Sequence, residues 1–262
     1  MGRVSWVLGT IVFLLVTPPA WSQERELSLG HPVQLEDAFF VPTGEGVLLA
    51  TVGGVVPRRG STFGDLRADL QYGLFPRTQV TLGTLASTDP DQQSSGNLNF
   101  SARVSLCEES TYLPFLAAQV GAEFPTGSRS HGTDVELKGF ATRSLTLGLL
   151  PVFLHLNAAV DGLASGRRSD DRPIRYHLAF GPSFTIPWHA PATLVADVAV
   201  DQSDRRHVAE TIRLELGVRY RISATAALHA SVGTDIAGPA DRSQFIVRLG
   251  LGIGFSGPAL GP

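Results

Sequence analysis

Charged side chains recur on alternate residues in several stretches of this 262-residue sequence, and any chemistry would begin there. Asp65, Arg67 and Asp69 form one set, and Arg213, Glu215, Arg219 and Arg221 form another. Arg103, Gln119, Glu123, Lys138, Asp197 and Arg248 stand in the polar phase of their own stretches. His155 lies two residues before Asn157, Arg175 two before His177, and His229 two before Ser231. Groups of both charge signs facing one space suit a constriction that orders passing solutes, as charged rings do in channels. They suit equally a set of ion pairs that braces a narrow interior. The His229–Ser231 spacing is also that of a general base beside a hydroxyl nucleophile. His155, His177 and His229 fall in separate stretches, so no metal ligand set is assigned and no cofactor is expected.

The elements that position these residues follow from the spacing itself. Between Asp65 and Leu74 the apolar set is Leu66, Ala68, Leu70, Tyr72 and Leu74, with polar residues or Gly between them. From Asn97 to Leu106 the apolar residues are Leu98, Phe100, Ala102, Val104 and Leu106. From Thr211 to Ile222 they are Ile212, Leu214, Leu216, Val218, Tyr220 and Ile222. Side chains on a strand alternate between its two faces, so a period of two predicts strands. Each run also has about the 9–11 residues that a tilted strand needs to cross a bilayer. Twelve segments fit: 45–56, 64–74, 77–87, 96–106, 112–124, 133–143, 150–162, 174–186, 192–201, 209–222, 224–236 and 243–255. The first and sixth alternate poorly. Pro114, Pro151 and Pro182 sit in or near strands, where a missing N–H is expected to end or bulge the ladder.

The connections sort by length. Those at 57–63, 87–95, 125–132, 164–173, 202–208 and 237–242 are longer and rich in Gly, Pro, Ser, Asp and Arg. Those between them, such as Phe75-Pro76 and Ser223, are tight turns. Long loops at one end and short turns at the other mark a transmembrane antiparallel β-barrel, with extracellular loops and periplasmic turns. A soluble sandwich has no reason to sort its loops this way.

Composition agrees. Only 17% of residues are charged, the net charge is −3, and there is no Lys/Arg-rich run, so a nucleic-acid partner is excluded. One cysteine, Cys107, leaves no intramolecular disulfide framework. At the N-terminus, Arg3 precedes an apolar run from Val7 to Val16, and Ala20-Trp21-Ser22 offers a cleavage site after Ser22. Residues 1–22 therefore read as a signal peptide, being too short in apolar span for a membrane helix. Residues 23–44 form a pre-barrel segment, 45–255 the barrel and 256–262 a tail. Gly250, Ile253 and Phe255 give the chain end a pattern that resembles the C-terminal signal read by barrel assembly machinery, with the tail as a departure from it.

Four motifs in order carry a family resemblance. Tyr72-Gly73-Leu74-Phe75-Pro76-Arg77-Thr78-Gln79 resembles the "YGLTDRTQ" turn of the MetA-pathway of phenol degradation family, and Glu123-Phe124-Pro125-Thr126-Gly127-Ser128 its "lPTGs" segment. His155-Leu156-Asn157 is similar to its "hlN" strand, and 216–223 to its "GlrY.ls" stretch. The resemblance implies an outer-membrane barrel of transporter type for small or hydrophobic compounds. The family's pathway name does not identify a substrate here.

With the apolar faces against outer-membrane lipid, the charged and polar residues named above line a lumen. Strands about 4.8 Å apart and tilted about 40° give a twelve-strand ring a backbone radius of ~12 Å, so side chains leave only a few ångströms of passage. The last strand turns Gly250, Gly252 and Gly254 inward beside Gly53 and Gly54 of the first. The space they leave is expected to take the pre-barrel segment as a plug, through Leu35-Glu36-Asp37-Ala38-Phe39-Phe40. Asp89, Asp91, Asp170 and Asp171 lie in long loops, where loose binding of divalent ions is the functional option and solvation the default. The expected function is passive passage of a small solute, hydrophobic or aromatic in character. A lipid-modifying enzyme using His229 and Ser231 is one alternative, although both residues fall on the inward face. A closed structural barrel is the other.

Overall fold

A computed structural model of the chain describes residues 33–88, 96–127, 132–148, 150–163, 172–186, 192–203, 205–239 and 242–257. The expected signal peptide and the acidic loop residues Asp89, Asp91, Asp170 and Asp171 lie outside them. Twelve antiparallel strands close into one barrel, each pairing with its neighbours in sequence and β1 (Glu45–Pro57) with β12 (Ser243–Ser256). Between them run β2 (Phe63–Phe75), β3 (Thr78–Ser87), β4 (Leu98–Cys107), β5 (Phe115–Phe124) and β6 (Asp134–Leu147). β7 (Leu150–Leu163), β8 (Arg175–Ile186), β9 (Ala192–Asp201), β10 (Thr211–Ser223) and β11 (Ala226–Ala237) complete the ring. Closure removes every strand edge, so no ladder hydrogen-bonding row is left to satisfy in hydrocarbon.

Register turns the alternation into two surfaces. Leu66, Phe100, Val120, Leu137, Leu156, Phe180, Leu216 and Val232 all point outward and are exposed, Leu216 at 64%. An apolar belt that runs around the molecule exceeds the few hundred Å² a soluble monomer tolerates, and lipid is the solvent it fits. The opposite set is joined strand to strand on the inward face, through Thr51↔Arg67, Asp69↔Gly83 and a continuous row Gln79↔Arg103, Arg103↔Gln119 and Gln119↔Lys138.

Three local departures from the expected pattern have physical causes. β6 runs on to Leu147, four residues past the expected end, because Arg143 points outward near the short-turn rim and masks the alternation. There its guanidinium binds the carbonyls of Ser110, Thr111 and Leu113, at 2.5–2.9 Å. The connection between β4 and β5 is consequently a folded seven-residue loop, 108–114, and not a tight turn. Pro114 falls in it, outside β5. Pro151 lies inside β7 but beyond the ladder with β8, which begins at Val152↔Phe184. Pro182 lies inside β8, and its ladder with β9 lacks pairs at Gly181 and Pro182, as a residue without an N–H requires.

The pre-barrel residues lie inside the ring. Thr43 makes a parallel bridge with Gly73, so the chain there runs opposite to β1. It reverses through Gly44, in the left-handed region at φ 77, with Glu45 N bonded to the Pro42 carbonyl at 3.0 Å. Val41 packs with Val47, Leu49 and Ala227; Ala38 with Ala117 and Phe140; Val33 and Leu35 with Ala179 and Ala199. The segment thus climbs from the short-turn mouth beside β1 toward the β8–β9 wall. Its passage explains why β1 alternates poorly: Val47 and Leu49 face inward and are buried against Val41.

Candidate functional site

Inward side chains from five strands hold residues 35–41. Asp197 Oδ2 accepts from Leu35 N at 2.9 Å, and Thr142 Oγ1 from Ala38 N at 2.9 Å. Gln79 Oε1 accepts from Val41 N, also at 2.9 Å. Asn157 takes Glu36 by both backbone groups, accepting from its N–H at 3.2 Å and donating to its carbonyl at 3.0 Å. Arg103 Nη1 donates to the carbonyls of Asp37 and Phe39 at 3.4 and 3.3 Å. An irregular segment cannot satisfy its own peptide groups, so the wall does it with side chains.

Charge completes the hold. The Glu36 carboxylate spans two cations, with Lys138 Nζ on Oε1 at 2.6 Å and Arg103 on Oε2. Arg103 is 4% exposed and Lys138 8%. Arg103 also lies 3.9 Å over the Phe140 ring, and Lys138 Nζ 5.1 Å from its centroid. Phe39 meets Phe115 edge-on at 5.3 Å and Phe153 at 6.2 Å.

The remaining expected site residues fall into separate groups on the same inward face. Arg175 pairs with Asp134 at 3.0 Å and with Asp161, and His177 pairs with Asp201. Glu123 accepts from Asn97 at 2.7 Å. Arg213 meets Asp235 at 2.7 Å, and Arg248 meets Glu215 at 2.5 Å. Arg67 pairs with Asp69 at 2.6 Å, yet the Arg67 side chain stays 58% exposed. Asp65 lies against Gly53, where a Cβ would meet its carboxylate. Arg219 reaches Thr193 at 3.5 Å, and Arg221 shares its inward phase, pairing with Ala227.

The histidines do not converge. His155 lies between Thr142 at 3.0 Å and Ser183 at 2.8 Å, while His229 Nε2 meets Thr51 at 3.0 Å. No cluster of three metal-ligating side chains occurs among the described residues. His229 and Ser231 are both buried on the inward face, and Ser231 Oγ has no hydrogen-bond partner among the described residues, so the two make no base–nucleophile pair.

Sequence reasoning missed Gln79 and Thr142, which bind the segment, Asp134, Asp161 and Asp235, which pair with arginines, and Asp201, which pairs with His177. Their signal was present: each is polar at an inward position of an alternating strand. Glu36 lay in the stretch already singled out, but nothing in the sequence named its two cations.

A scan against protein-family models matches none, and no curated protein sequence matches the chain. Among solved structures, an outer membrane channel from Pseudomonas putida F1 aligns with TM-score 0.57 at 16% identity, covering 85% of this chain and 100% of that one. The NanC porin aligns with TM-score 0.56 at 12% identity, covering 78% of this chain and 98% of that one. At such identities the likeness is one of architecture. The chain has the fold of a twelve-stranded outer-membrane-type β-barrel.

Proposed function

We propose that this protein is an outer-membrane channel for passive passage of small solutes, closed at rest by residues 33–44. One observation carries the reading: a chain segment lies inside the ring, held to the wall through side-chain hydrogen bonds and ion pairs. The strands satisfy their own backbone groups in a closed ladder, so the segment can be displaced without unfolding them. The two channel and porin neighbours and the resemblance of four motifs to the MetA-pathway of phenol degradation family support the same reading. By it, the short turns face the periplasm, and the barrel partners are outer-membrane lipid, assembly machinery during biogenesis, and the solute.

The test is removal of the segment. Deleting 23–42 is expected to raise single-channel conductance and the rate of liposome swelling with small solutes. Unchanged conductance and noise in the deletion variant would mean that residues 33–44 are not a gate, and a closed structural barrel would then be the better description.

A further inference from the structure

We infer that Arg103 and Lys138, together with Phe140, Phe115 and Phe153, form a binding site for a small carboxylate bearing an aromatic ring, which Glu36 and Phe39 occupy in the closed state. The inference rests on the reading of residues 33–44 as a displaceable gate and names what displaces it.

The site is built for a carboxylate. Glu36 presents its two oxygens to two different cations, one a planar guanidinium and the other a compact ammonium, so both lone-pair sides are claimed. Arg103 is fixed from behind: Gln119 Oε1 accepts from its Nε at 3.2 Å, and Gln119 Nε2 is held by Glu136 at 3.4 Å. The Phe140 ring beneath it adds cation–π attraction. These groups belong to the wall, and they stay when the segment leaves.

The site is also built for a ring. Phe39 sits edge-on to both Phe115 and Phe153, the geometry that aromatic quadrupoles favour. Phe115 and Phe140 share a cluster with Ala38 and Ala117, so the aromatic pocket adjoins the cationic pair directly. Arg103 touches both halves, through the Glu36 carboxylate and the Phe39 carbonyl.

Opening the gate without a substitute anion would leave Arg103 and Lys138 without the carboxylate that spans them. An aryl carboxylate entering the lumen replaces Glu36 and Phe39 in one step and releases the segment. A neutral or cationic analogue of the same size has no such exchange to offer.

The experiment follows para-fluorobenzoate binding to full-length protein in detergent by fluorine NMR, beside para-fluorobenzyl alcohol and para-fluorobenzylammonium. Saturable binding of the carboxylate alone is expected. Glu36→Gln removes the internal competitor and leaves the wall intact, so it should tighten binding about tenfold. Arg103→Gln should abolish it and Lys138→Gln weaken it about tenfold, with heat-modifiable gel migration reporting that each barrel is closed. Carboxylate binding no tighter than the alcohol, in both the parent and Glu36→Gln, overturns the site. If the 23–42 deletion still raises conductance in that case, the gate survives and only the ligand is wrong. If the deletion leaves conductance unchanged, the gate falls and this inference falls with it.

Discussion

Asn157 on β7 holds Glu36 by both of its backbone groups, at 3.2 and 3.0 Å, and is itself fully buried. A side-chain amide here does what a neighbouring strand does elsewhere in the barrel. Asn157→Leu is close in volume and removes both bonds. It leaves a buried N–H and C=O unsatisfied, at about 1–3 kcal/mol each. Because the segment can relieve that cost by leaving, the expected result is frequent opening, read as conductance noise, with little change in barrel melting.

Gly73→Ala probes the mouth with one methyl group. A Cβ there would meet the carbonyls of Val41 and Pro42, backbone atoms that cannot rotate aside. Gly73 O also accepts from Gly44 N at 2.9 Å, so the reversal itself would shift. Liposome swelling should accelerate toward the rate of the 23–42 deletion, whereas Gly54→Ala, where a Cβ meets nothing within 4 Å, should leave it unchanged.

Leu216→Arg tests the lipid face. Leu216 points outward from the middle of β10. A charge at the bilayer midplane of a barrel costs about 2–4 kcal/mol. Urea unfolding in liposomes should register that loss. The same substitution at Ile222, near the strand end and the interface, should cost about 0–1 kcal/mol.

The seam offers a fourth case. A Cβ on Gly46 would meet the ring of Phe255, which lies across it from β12. Gly46→Val is expected to lower the temperature at which the barrel loses its heat-modifiable migration and to reduce assembly yield. Phe255→Ala should do the same by leaving the seam uncovered. Parental melting in both variants would show that this ring over glycine does not stabilise the closure.

Strand identity was legible because lipid on one side and a polar interior on the other force a period of two. Where β2, β4 and β10 meet both conditions, the expected and observed ends differ by one or two residues. β1 read poorly because its inward side meets apolar Val41 rather than polar neighbours. β6 read short because Arg143 takes the outward phase at the rim. The luminal contacts were not legible at all. Lys138 lies 102 residues from Glu36, and an irregular segment has no period that could announce such a pairing. Inward polar phase marked Arg103, Asn157 and Lys138 as candidates, but only the fold shows that they share a carboxylate and its backbone.

Gly44 couples the luminal segment to the junction that closes the ring. The ring shuts when β1 meets β12, and β1 begins one residue after the reversal at Gly44. Residues 33–43 are therefore tethered one residue from the closing junction, which gives them a high effective concentration at the luminal wall. Supplying the missing stretch afterwards as a free peptide would then be a poor substitute for having it tethered at birth.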